Sequence, residues 1–149
     1  MNQINIVGEN GKVNIEVNGY ERPTAKDVDD ANWLNCSVYI DVPPFSGRYD
    51  ASFSTRDFLN FGQELGVLSD HLSGQATFET DEGALRLRLV MGSRGEMVIE
   101  GEAEIVASAR AALKFTLQAD QSYLAELRRS VTAVSAEFPV RASGGDGGR

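Results

Sequence analysis

Hydrophobic and polar residues alternate from the start of this chain. Ile4 and Ile6, then Val13, Ile15 and Val17, each have polar neighbours. A period of two predicts strands with one apolar face. Between these runs lies Asn10-Gly11, which suits a type I′ turn because both central residues need positive φ. A loop of those two residues pairs Ile6 with Ile15 and Ile4 with Val17, all on one face. Residues 20–31 break the alternation, and Pro23 with the aspartates after it predicts a surface loop. A long strand follows. Leu34, Cys36, Val38, Ile40 and Val42 make its apolar row, and Trp33, Asn35, Ser37, Tyr39 and Asp41 its polar-aromatic row. Pro43-Pro44 stops it, and Tyr49, Ala51 and Phe53 mark the inward positions of the next strand.

The period then changes. Ser54-Thr55-Arg56-Asp57 has a hydroxyl at an N-cap and a carboxylate three residues on, the spacing of a capping box. Phe58, Phe61, Leu65, Leu68 and Leu72 recur at helical spacing, with Gly74 as the expected stop. Alternation resumes at Ala76 and Phe78. It continues through Leu85, Leu87, Leu89 and Met91, then Met97, Ile99, Ala103 and Ile105. Keeping those last two runs on one face excludes a two-residue turn. It predicts a three-residue Ser93-Arg94-Gly95 loop with Gly95 left-handed. Arg88 then faces Glu100, and Arg86 faces Glu102. Leu113, Phe115 and Leu117 make a last strand. Asp120 or Ser122 caps a second helix whose stripe is Leu124, Leu127, Val131, Val134 and Phe138, and Pro139 ends it.

The fold class expected is α+β. It is a largely antiparallel sheet of about eight strands with two amphipathic helices packed on one face, in the order ββββαββββα. Residues 1–141 are expected to form a single domain, and 142–149 a flexible Gly-rich tail.

Charge narrows the function classes. The 149 residues carry 22 acidic and 14 basic side chains, a net charge of -8. A phosphate backbone wants a basic footprint, so direct nucleic-acid binding is not expected. The balance suits a basic protein partner, or simply solubility. The one cysteine allows no intramolecular disulfide. The opening residues, MNQINIVGENGK, have neither a basic start nor an apolar run, and no stretch has the length and apolarity of a membrane span. A cytoplasmic location is expected, with no membrane partner.

Little in the chain is suited to bond-making. His71, the single histidine, lies near the end of the first helix, where a cation complements the carbonyl end. Cys36 lies within an apolar row, where burial makes a thiol inert. Asp27, Asp29 and Asp30 lack the glycine and distal glutamate of a calcium loop. Gly92-Ser93-Arg94-Gly95 and Gly8-Glu9-Asn10-Gly11-Lys12 read as hairpin turns rather than phosphate loops. Glu96, Glu100, Glu102 and Glu104 form a solvated row balanced by Arg86, Arg88 and Lys114. No enzymatic activity, metal or cofactor is expected.

One segment stands apart. Asp27, Asp29 and Asp30 crowd a short loop, and Asn32, Trp33, Asn35 and Tyr39 follow as the next strand begins. Trp33 either closes the rim of the core, with the aspartates merely solvating the loop, or anchors an acidic contact surface. In the second case the aromatic supplies binding area and the carboxylates speed encounter with a basic partner.

At this segment a family resemblance enters. Gly11-Lys12-Val13 through Gly19-Tyr20-Glu21, then Asn32-Trp33-Leu34-Asn35, resemble the start of WapI-type immunity proteins of bacterial polymorphic toxin systems. The closing Glu137-Phe138-Pro139-Val140-Arg141 is similar to that family's end, and the order of elements matches over most of residues 4–141. The resemblance implies a non-catalytic inhibitor that binds a toxin's C-terminal domain and blocks its active site or substrate groove. Two other classes stay open. One is a small-molecule binding module or enzyme whose concave sheet face is lined by Trp33, Tyr39 and Asp41. The other is an assembly protein that homodimerises through an exposed edge strand.

Overall fold

In the computed structural model, residues 2–24, 31–80, 82–106 and 109–141 are described. Each alternating run is a strand: β1 (Gln3–Gly8), β2 (Gly11–Tyr20), β3 (Trp33–Val42) and β4 (Phe45–Ser54), then β5 (Gly74–Glu79), β6 (Leu85–Met91), β7 (Glu96–Val106) and β8 (Arg110–Asp120). The helical runs are α1 (Thr55–His71) and α2 (Leu124–Glu137), the latter entered through a 3-10 turn at Gln121–Tyr123. Class and order are those expected from the sequence. The eight strands, however, are shared between two four-stranded antiparallel sheets, β1-β2-β3-β4 and β5-β6-β7-β8. Helix α1 lies between β4 and β5. Its 17 residues span about 25 Å, and β5 pairs with β6 in the second sheet.

Both sheets turn their apolar rows inward onto one core. Ile4, Ile15, Leu34 and Val38 of the first sheet and Leu85, Leu87, Leu89 and Leu117 of the second are buried in the same cluster as the helix stripes. The helices pack against one another, α1 also against β5 and α2 against β1. Phe53 of β4, Phe58 and Phe61 of α1 and Phe78 of β5 meet at the junction, with ring centroids 5.3–6.2 Å apart and mostly edge-to-face.

The first hairpin departs from its expected register. Gly8 pairs with Gly11, Ile6 with Val13 and Ile4 with Ile15, so the turn residues are Glu9-Asn10, neither of which has positive φ. The type I′ reading of Asn10-Gly11 was wrong because this turn is shaped by what it touches. The Asn10 side chain donates to the Thr116 carbonyl and accepts from the Gln118 N–H, each at 2.9 Å. The Glu9 N–H donates to the Gln118 carbonyl at 2.7 Å. Gly8 and Gly11 permit that approach. A Cβ on Gly8 would lie 2.9 Å from Leu117 Cβ, and one on Gly11 2.6 Å from the Asp41 carbonyl oxygen. The displacement is by an even number of residues, so the same side chains still face inward.

The other local signals read as expected, with two adjustments. Ser54 and Asp57 close a capping box: the Ser54 hydroxyl accepts from Arg56 N–H at 3.2 Å, and Asp57 accepts from Ser54 N–H at 2.9 Å. Met91 pairs with Met97, Gly95 has φ 84, and Arg88 and Arg86 stand opposite Glu100 and Glu102. The first adjustment is at the end of α1. Leu72, not Gly74, takes the left-handed cap, at φ 55, with its N–H on the Leu68 carbonyl at 2.8 Å. Leu72 is therefore exposed, and the buried stripe ends at Leu68. The second concerns Asp120, which caps the 3-10 turn rather than α2 itself. Ser122 donates to it through its hydroxyl and its N–H, holding the Asp120 carboxyl below the usual range.

Candidate functional site

The outer face of the first sheet mixes amides and hydroxyls with charged groups of both signs and one ring. Its rows run Gln3, Glu16, Ser37, Asp50; then Asn5, Asn14, Tyr39, Arg48; then Val7, Lys12, Asp41, Ser46. Asn14 donates to Asn5 at 2.6 Å. Asn18, placed by a bulge in β2 between Val17 and Gly19, donates to Ser37 at 3.2 Å. Ser37 in turn donates to Asp50 at 3.4 Å. Arg48 lies over the Tyr39 ring, 5.4 Å from its centroid.

The outer face of the second sheet is different. There Glu79, Arg86, Glu102 and Lys114 form one chain of ion pairs at 3.4–3.9 Å, and Arg88 donates to Glu100 at 2.9 Å. Charge on that face is spent internally, and exposed pairs of this kind contribute little to stability.

The residues expected to bind a partner are divided by the fold. Asn35 and Tyr39 are exposed on the outer face of β3, Tyr39 at 36%. Trp33, on the same row, is half-buried at the mouth of the strand, opposite Ser54. Asp27, Asp29 and Asp30 lie outside the described residues. Asn32 is interior, only 3% exposed. Its amide donates to the Arg141 carbonyl at 2.9 Å, and its oxygen accepts from the Arg141 N–H at 2.7 Å. It therefore fastens the end of the chain instead of meeting solvent.

Arg141 is the residue that sequence reasoning missed. Its guanidinium donates to the carbonyls of Ala31, Pro23 and Arg22. It also lies 3.6 Å from the centroid of Tyr20. Tyr20 donates to the Pro139 carbonyl at 2.7 Å and meets Phe138 edge-on. Burial raises the Tyr20 hydroxyl's pKa, an effect partly opposed by Arg141. The Trp33 segment and the Phe-Pro ending thus form one structural unit, and Arg141 grips both ends of the acidic segment. Arg48 was missed as well. Reading Pro43-Pro44 as a complete two-residue turn would have placed it opposite Tyr39.

The chemistry-bearing groups stay apart. Cys36 is buried, and burial pushes its thiol up to about 12. His71 is exposed in the last turn of α1. Asp41 is exposed opposite Lys12. Among the described residues no group of three or more His, Cys, Asp or Glu side chains is arranged to hold a metal ion, and no helix is long and apolar enough to cross a membrane.

Two grooves flank β4, which among the described residues is the last strand of its sheet. One, of about 700 Å³, is lined by Asn35, Asp50, Glu82, Glu104 and Val106 among others. The other, of about 250 Å³, is apolar and lies between Phe45, Gly47 and Ile40 on one side and Ile105 and Leu113 on the other.

Comparison with known families gives one match. The model of a family described as "Immunity protein WapI-like family" matches residues 4–139. No curated protein matches the chain.

Proposed function

We propose a function from one premise: this chain belongs to the WapI-like immunity protein family. It neutralises a cognate toxin domain by binding it directly, without catalysis. The family match over residues 4–139 is the observation that carries this reading. The contact is centred on the outer face of the first sheet, where Trp33, Asn35 and Tyr39 share a row, and on Asp27, Asp29 and Asp30, which precede that strand in the sequence. Two properties support that choice. The face combines a tyrosine, amides and hydroxyls, which suits adaptable protein recognition. The chain's net charge of -8 suits a basic partner, such as a toxin that must itself hold phosphates.

The test is co-purification with the C-terminal domain of a toxin encoded beside this chain's gene. Replacing Asp27, Asp29 and Asp30 with lysine is expected to slow association by about tenfold or more at low salt, and by less at high salt. Association at an unchanged rate would remove those aspartates from the interface. Absence of any complex with the unmodified chain would end the reading.

A further inference from the structure

We propose that the open edge of β4 and the apolar groove beside it take an extended segment of the toxin domain, which adds to the first sheet as a further strand. The inference rests on the toxin-binding reading above and names the mode of recognition.

The argument starts from how the sheet edges are finished. An unpaired edge exposes a row of N–H and C=O groups that will pair with another chain, so folded proteins usually blunt it. Three of the four edges here are blunted. On β8, the turn at Glu9-Asn10 bonds the main chain of Thr116 and Gln118. On β5, the Glu64 carboxylate accepts from the Thr77 N–H at 2.9 Å. On β1, α2 packs alongside. The fourth edge is β4. The Ser54 N–H is taken by Asp57 and the Phe53 backbone by Cys36, but among the described residues no backbone group of Phe45–Ser52 is hydrogen-bonded outside the pairing with β3.

The surroundings of that edge are adapted to an occupant. Phe45 is 62% exposed, Val106 73% and Ile105 37%, and all three lie around it. Solvated apolar side chains gathered at one place mark a contact surface. Gly47 deepens the apolar groove. It pairs with Ile40, a Cβ there would meet nothing within 4 Å, and the space where a side chain would stand is open. Farther along the strand the larger groove carries Asp50 and Glu82. Of the basic groups nearby, Arg110 pairs with Glu104 at 2.5 Å, while Arg48, over the Tyr39 ring, also offsets part of the Asp50 charge, so Glu82 carries most of the acidic character. The segment that fits has an apolar side chain for the groove at Gly47, followed by a basic one facing Asp50 and Glu82. Main-chain pairing supplies affinity and the two pockets supply selectivity.

The experiment uses the full chain and the C-terminal domain of the adjacently encoded toxin. Gly47→Leu fills the groove in a position with room for a side chain, and Phe45→Ser removes exposed apolar area. Both should fold with unchanged circular dichroism. Each is expected to raise Kd by about tenfold or more. Amide exchange in Phe45–Asp50 should slow in the wild-type complex. If the wild type binds but both variants bind equally well and those amides exchange as in the free chain, the edge-pairing mode is wrong while the toxin-binding reading stands. If the wild type does not bind, both fall. If the same amides are protected in the free chain as its concentration rises, the edge pairs with a second copy, which overturns the proposal.

Discussion

Burial holds the Cys36 thiol at about 12, against 9.0 for a free one. The raised value means that folding favours the protonated group. Its contribution is complete below pH 9.0 and is lost as the pH climbs toward 12. Tyr20 and Tyr49, also raised by burial from 10.0, act in the same direction at higher pH. The urea midpoint should therefore fall as the pH rises above 9.0, while a thiol reagent modifies Cys36 only once the protein unfolds. Rapid modification of the native chain would contradict this. The capping box makes a second residue-scale prediction. Ser54→Ala should cost about 1 kcal/mol in chemical denaturation, with an unchanged m-value, because the hydroxyl satisfies a helix N–H that otherwise has no intrahelical acceptor. Both features were legible in the sequence, since each depends on residues a few positions apart. The left-handed Leu72 was not, because a glycine stood two residues farther on and was the better local candidate.

Between elements, the strand faces followed from alternation alone, whereas the fit between neighbouring strands did not. Gly101 on β7 pairs with Phe115 on β8, and a Cβ there would lie 2.2 Å from the Phe115 ring. Gly101→Ala should destabilise the chain by roughly 1–3 kcal/mol through overpacking. Adding Phe115→Leu should recover part of the loss, and thermal unfolding of the single and double variants measures the coupling. Strictly additive losses would show that the ring and the glycine do not share that space. The first hairpin carries the same lesson. Asn10-Gly11 had the stronger turn propensity, yet the contact of Glu9-Asn10 with β8 set the register. Propensity at a turn spans about a kilocalorie, and three hydrogen bonds to another strand outweigh it.

Across the whole molecule, the join of residues 20–23 and 31–32 to 138–141 has the most consequence for function. Arg141→Ala removes several hydrogen bonds and the stacking on Tyr20 together. A loss of about 1–3 kcal/mol is expected, with faster amide exchange at Glu21, whose N–H donates to the Trp33 carbonyl at 2.9 Å. Because Arg141 grips the base of the acidic segment, the same variant should weaken toxin binding beyond its effect on stability; equal affinity for the folded fraction would separate the grip from function. The residues by themselves determined the order of elements, most of the inward set of the strands and helices (Leu72 and Ile105 excepted), the capping signals and the acidic, catalytically sparse character. These are periodicities and neighbour effects that act within a few positions. Only the tertiary structure decided that the strands divide into two sheets, that Asn32 is interior and that Arg141 fastens the chain end to the segment before β3. The bonds between Asn32 and Arg141 join residues 109 positions apart, and such outcomes follow from shape and mutual packing, which no local pattern encodes.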